Sequence, residues 1–114
     1  MNISIICGST VPRYYELLDK HLNNLIEKSG CYLFTILCGK VSGQEQTRKT
    51  LGQEWAAANG CPVKYITANT EKDLIRKVLF LSDYIIFILD GNPFINNLFM
   101  QYKMMGKHGS VIKV

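Results

Sequence analysis

This 114-residue sequence predicts a three-layer, Rossmann-like α/β fold with a doubly wound parallel sheet. Short runs rich in β-branched and aromatic residues alternate with longer runs of helical spacing, in the order βαβαβαβαβ. The first, second and fourth short runs are apolar at nearly every position, as expected for parallel strands covered on both faces at the centre of a sheet. No linker, repeat or low-complexity stretch divides the chain, and its length suits a single domain over residues 1–114 with one buried core.

Strands are expected at Ile3–Cys7, Leu33–Leu37, Val63–Ile66, Tyr84–Leu89 and Val111–Val114. Four helices are expected between them. The first follows Pro12, carries the stripe Leu18, Leu22, Leu25 and Ile26, and stops at Gly30. Ser42 and Glu45 fit an S-x-x-E capping box, which starts the second helix near Gly43. Its stripe is Leu51, Trp55 and Ala58, and Asn59-Gly60 ends it before Pro62. Thr70 caps the third, whose core face is Leu74, Ile75, Val78 and Leu81. Asn92-Pro93 opens the fourth, with Phe94, Leu98, Tyr102 and Met105 inward and Gly106 at its end. Right-handed crossovers then give the strand order 3-2-1-4-5.

In that order strands 1 and 4 flank the switch point, where open α/β sheets bind ligands at the carboxyl ends of their strands. Three loops meet there: Gly8-Ser9-Thr10, the stretch from Gly39 to Gln44, and Asp90-Gly91-Asn92-Pro93. In the second loop two glycines allow close backbone approach to a ligand, and the N–H groups of a helix start favour an anion such as phosphate. Lys40 supplies a cation for it. The candidate ligand-binding residues are Gly8, Ser9, Thr10, Gly39, Lys40, Ser42, Gly43, Gln44, Asp90, Gly91 and Asn92.

Composition narrows the function classes. The 13 basic and 9 acidic residues give a formal charge of +4, but the basic residues are scattered, with no run beyond the pairs Arg48-Lys49 and Arg76-Lys77. That pattern is a solvated surface, and nucleic acid is not an expected partner. No apolar stretch reaches the roughly 18 residues of a membrane span and no signal-peptide pattern opens the chain, so a cytoplasmic protein without membrane attachment is expected. Cys7, Cys31, Cys38 and Cys61 form no C-x-x-C pair and have no nearby histidines, so neither a metal site nor a cofactor is expected. Free thiols are the reading for a reducing compartment, with a Cys7–Cys38 bridge left open by strand adjacency. His21 and His108 read as surface residues. Met100 and Met104 form a second apolar stripe on the fourth helix and Phe80 lies off the core stripe of the third, which points to a homo-oligomer through these helices.

The whole chain resembles small single-domain members of the SLOG superfamily, the Rossmann-like group that includes the LOG nucleotide phosphoribohydrolases and the DNA-processing protein DprA. Ile5-Ile6-Cys7-Gly8-Ser9-Thr10 is similar to the family's opening strand and Gly-Ser-Arg. Cys38 to Gln44, with Gly52-Gln53-Glu54-Trp55-Ala56 and Gly60-Cys61-Pro62-Val63, resembles the "GGARGAD … EWA … G-x-P-V" block. Leu81-Ser82-Asp83-Tyr84-Ile85-Ile86-Phe87 through Gly106-Lys107 to Val111-Ile112 is similar to the closing "ADLVIAF … G … GIPVI" unit.

The resemblance implies a nucleotide or nucleotide derivative at the carboxyl edge and a tendency to assemble. The departures bear on chemistry. The family's second Gly-rich phosphate loop is replaced by Asp90 to Asn96 with one glycine, and an Arg-Asn pair ahead of strand 4 by Leu74-Ile75, beside Arg76. The family's glutamate on the helix after strand 4 falls near Asn97 and Leu98, and no acidic residue follows Asp90. The expectation is therefore a non-catalytic sensor or accessory module that binds a nucleotide. One alternative is an N-glycosidase or deoxyribosyltransferase using Asp90 as its carboxylate. A DNA-associated or structural module is another.

Overall fold

Strands that are apolar on both faces need cover on both, and the chain supplies it by winding in two directions. The computed structural model describes residues 1–6, 12–30, 34–42 and 50–114. Along the chain lie β1 (Asn2–Ile6), α1 (Pro12–Ser29), β2 (Thr35–Val41), α2 (Leu51–Asn59), β3 (Val63–Ala68), α3 (Glu71–Leu81), β4 (Tyr84–Leu89), α4 (Pro93–Met104) and β5 (Gly109–Lys113). All pairings are parallel, in the expected order β3-β2-β1-β4-β5.

Because side chains alternate across a strand, each face carries its own cluster. On one face Ile3, Ile36, Cys38, Ile86 and Ile88 meet Leu18 and Leu22 of α1 and Leu51, Trp55 and Ala56 of α2. On the other, Ile85 and Phe87 meet Leu79 of α3 and Ile95, Leu98 and Tyr102 of α4. The Phe87 ring stands edge-on to Phe99 at 5.4 Å and tilted to Tyr102 at 5.7 Å. Polar groups within these layers are bonded, since a buried one left unpaired costs about 1–3 kcal/mol. Trp55 Nε1 donates to Asp19 at 2.9 Å, joining α2 to α1, and Tyr102 donates to the His108 carbonyl at 2.7 Å. Ser82 Oγ donates to the Val78 carbonyl at 2.5 Å and lies 2.6 Å from Ser4 Oγ.

Several local expectations are corrected. The second helix does not take its cap from Ser42: α2 is capped by Thr50, whose hydroxyl accepts from the Gln53 N–H while the Gln53 side chain accepts from the Thr50 N–H. Ser42 instead lies in the turn just after β2, donating its N–H to the Ala68 carbonyl at 2.7 Å. β2 accordingly runs on through Gly39 and Lys40, paired with Ile66 and Thr67. Helix faces are also rotated. Ala56 is buried and Ala58 exposed, Leu79 replaces Leu81 inward, and Ile95 replaces Phe94. Met105 is likewise exposed, beyond the last turn of α4. His21 is half-buried, with Nε2 2.6 Å from Ser110 Oγ of β5, a partner 89 residues away. Cys38 and Cys61 are free thiols; Cys7, Cys31 and the Glu45 capping partner lie outside the described residues. No described helix is long and apolar enough to cross a membrane.

Two outcomes test this packing. A Cβ on Gly109 would stand 2.7 Å from the Ile85 carbonyl oxygen and 3.0 Å from Tyr102, so Gly109→Ala is expected to lose about 1–3 kcal/mol in urea unfolding. Burial, reinforced by Lys28, holds the His21 imidazole below its ordinary 6.5. The unfolded chain then binds the proton more readily, so the His21 contribution is intact above pH 6.5 and is lost as pH falls through the lowered folded value. Unfolding free energies at roughly pH 7.5 and 5 should therefore fall more for the parent than for His21→Gln.

Candidate functional site

Parallel pairing brings the carboxyl ends of all strands to one edge, and the reversal of winding at β1 and β4 parts the helices there. A cavity of about 360 Å³ opens at this place. Its sheet side is the end of β1 at Ile5 and Ile6 and β2 at Leu37, Cys38 and Gly39, and Thr50, Leu51 and Gly52 at the start of α2 close one flank. Leu74, Ile75 and Val78 of α3 face Phe94, Ile95 and Leu98 of α4 across it. The amphipathic stripe of α3 explains why it is open: only Leu79 is buried, and Leu74, Ile75 and Val78 are left half-covered. Phe94 is 50 % exposed at the rim.

Among the described residues the lining carries little charge. Glu71, exposed in the first turn of α3, is the one carboxylate among the described residues of the lining. Burial pushes the Cys38 thiol up, opposed by its contact with the Thr50 hydroxyl at 3.8 Å, so the sulfur is held neutral. The Ser4 hydroxyl is taken by Ser82, and the Thr50 hydroxyl by the α2 cap. Among the described residues no group of three His, Cys, Asp or Glu side chains is gathered to hold a metal. Such an arrangement can shelter an uncharged, apolar or planar group.

The sequence-derived residues are placed unevenly around this cavity. Gly39 reaches it, but as a strand residue whose missing Cβ is covered by Leu74, with three side-chain carbons 3.1–3.2 Å from where a Cβ would be. Lys40 follows in the strand and Ser42 is exposed just beyond it. Gly8, Ser9, Thr10, Gly43 and Gln44 lie outside the described residues.

Asp90, Gly91 and Asn92 form the turn before α4. Asp90 Oδ2 accepts from the Tyr14 hydroxyl and Oδ1 from the Asn92 N–H, both at 3.3 Å, and Asn92 Oδ1 accepts from the Phe94 N–H at 2.9 Å. Gly91 has φ +89°, a conformation that favours glycine. The turn is thus braced by its own side chains. Sequence reasoning missed Thr50, Glu71 and the cavity-facing role of Leu74, Ile75 and Val78. The T-x-x-Q capping box at Thr50–Gln53 was the available signal for the first.

The Gly39–Leu74 contact is testable by a coupled pair of substitutions. Gly39→Val should destabilise by about 1–3 kcal/mol, and adding Leu74→Ala should recover part of that loss in a double-mutant cycle followed by urea unfolding. Independent effects would show that Leu74 does not fill this position. In comparisons with known proteins, no family model matches the chain and no curated protein matches it.

Proposed function

We propose that this chain binds a nucleotide or nucleotide derivative at the carboxyl edge of its sheet and acts as a non-catalytic sensor or accessory module. The observation that carries this reading is the 360 Å³ apolar-lined cavity at the switch-point edge of a doubly wound sheet. A planar base with its sugar matches an uncharged cleft between aliphatic walls, with the Phe94 ring at its rim. The resemblance to the SLOG superfamily points the same way, and membership of that group is part of the proposal.

Asp90 argues for binding over chemistry. Both of its oxygens already accept hydrogen bonds within the fold, so its role in this reading is to brace the α4 turn. The expected outcome is that nucleosides and nucleoside monophosphates incubated with the protein release no free base.

Thermal shift and calorimetry with AMP, ADP-ribose, NAD and cyclic nucleotides test the binding itself. A ligand at about ten times its Kd should stabilise the fold by about 1.4 kcal/mol, a shift of roughly 5 °C. No response to any of them at millimolar concentration would overturn the reading.

A further inference from the structure

We infer that the phosphate of the bound nucleotide is held by Arg76 and Lys72, at the outer mouth of the cleft between α3 and α4. This rests on the nucleotide reading above and adds where the charged end of the ligand sits. The cavity does not end beneath the helices. Glu71, Ile75, Phe94 and Leu98 line both it and a groove of about 520 Å³ that runs outward between α3 and α4. The inner space is walled mostly by aliphatic side chains, whereas Lys72, Arg76 and Gln101 line the outer one, Arg76 also bordering a groove over β3 beside Lys64 and Lys77.

The cations at that mouth are uncommitted. Lys72 and Arg76 are four residues apart on α3, so they share one side of the helix one turn apart. Both are exposed, and neither has a hydrogen bond or ion pair among the described residues. Lys77 and Lys107, by contrast, are engaged, while Lys103 is exposed in the last turn of α4 and does not line the groove. Lys77 donates to the Thr67 carbonyl of the edge strand, and Lys107 donates to the Leu79 and Phe80 carbonyls at the end of α3.

The ligand that fits has an uncharged planar body and one compact anionic end, which describes a nucleoside monophosphate. Its base and sugar occupy the apolar interior, and its phosphate meets the guanidinium fork and the ammonium outside. Glu71 opposes this arrangement, because its carboxylate lines both spaces and repels a phosphate that passes it. The preference for phosphate at this mouth is therefore weaker than two cations alone would give, and removing Glu71 should strengthen it.

Calorimetry at low salt with four probe pairs tests the placement: adenosine and AMP, guanosine and GMP, cytidine and CMP, uridine and UMP. At least one monophosphate should bind about tenfold more tightly than its nucleoside, and added salt should erode that advantage. Arg76→Gln should remove most of it, and Arg76→Gln with Lys72→Gln all of it, without changing nucleoside affinity; Glu71→Gln should enlarge it. A monophosphate preference that survives the double substitution would overturn this placement while leaving the nucleotide reading intact. If no nucleoside and no monophosphate binds at millimolar concentration, this placement falls, and the nucleotide reading is decided by ADP-ribose, NAD and cyclic nucleotides.

Discussion

The rest of the structure depends on the burial of β4 from both sides. Ile85, Ile86, Phe87 and Ile88 are all fully inaccessible, and alternate residues of a strand point to opposite faces. Full burial of one such side chain contributes about 1.5–3 kcal/mol, so neither face can be left bare. Right-handed crossovers satisfy this only if the chain winds both ways. The path β1 to β2 to β3 lays α1 and α2 on one face, and the return through β4 to β5 lays α3 and α4 on the other. The reversal between β1 and β4 then leaves a gap at the carboxyl edge.

The two faces are not closed equally well. On the first, Gly52 lets α2 approach until a Cβ there would lie 3.0 Å from Ile36 and 3.2 Å from Ile5, and Trp55 fills the space behind it while donating to Asp19. On the second, α4 is anchored by Ile95, Leu98 and Tyr102, but α3 seats only Leu79 fully. Leu74 reaches the sheet because Gly39 has no side chain, and that contact holds the upper end of α3 over β2. Between this contact and α4 the helices stand apart. The cavity thus lies where α3, which buries only Leu79 fully, stands off from α4 at the carboxyl edge.

The strand order and the identity of the central strands were legible in the sequence because apolarity at every position of Tyr84 to Leu89 is a local property with one structural solution. What failed was decided by distant partners. The cap of α2 falls on Thr50, and the Ser42 N–H, just beyond the end of β2, bonds the Ala68 carbonyl of β3. His21 faces solvent on a helical projection, and only Ser110 on β5 reveals otherwise. On α3 an apolar stripe wider than the contact surface was readable as core, but which of its members would be left half-covered depends on Gly39 and α4. Of the predicted ligand-binding residues, Gly39 lies at the cavity, and the Asp90–Asn92 turn is occupied with its own hydrogen bonds.

Magnitudes indicate how such a site would work. Leu74, Ile75 and Val78, each only partly exposed, together forgo on the order of 1–3 kcal/mol of burial that an apolar ligand would restore. A Kd of 1 mM corresponds to about 4 kcal/mol, and association itself costs at least that much in lost translational and rotational freedom. Closing the cleft with apolar contacts alone therefore yields at best weak and unselective binding. One hydrogen bond to a charged group adds about 1.5–3 kcal/mol, roughly a further tenfold to hundredfold in affinity. Among the described residues the Ser4 and Thr50 hydroxyls are already engaged within the fold, so in the proposed reading selectivity would come from the charged side chains at the mouth. In that reading the balance between Glu71 and the neighbouring Lys72 and Arg76, all on α3 and all lining the outer groove, would weigh more than the shape of the cavity.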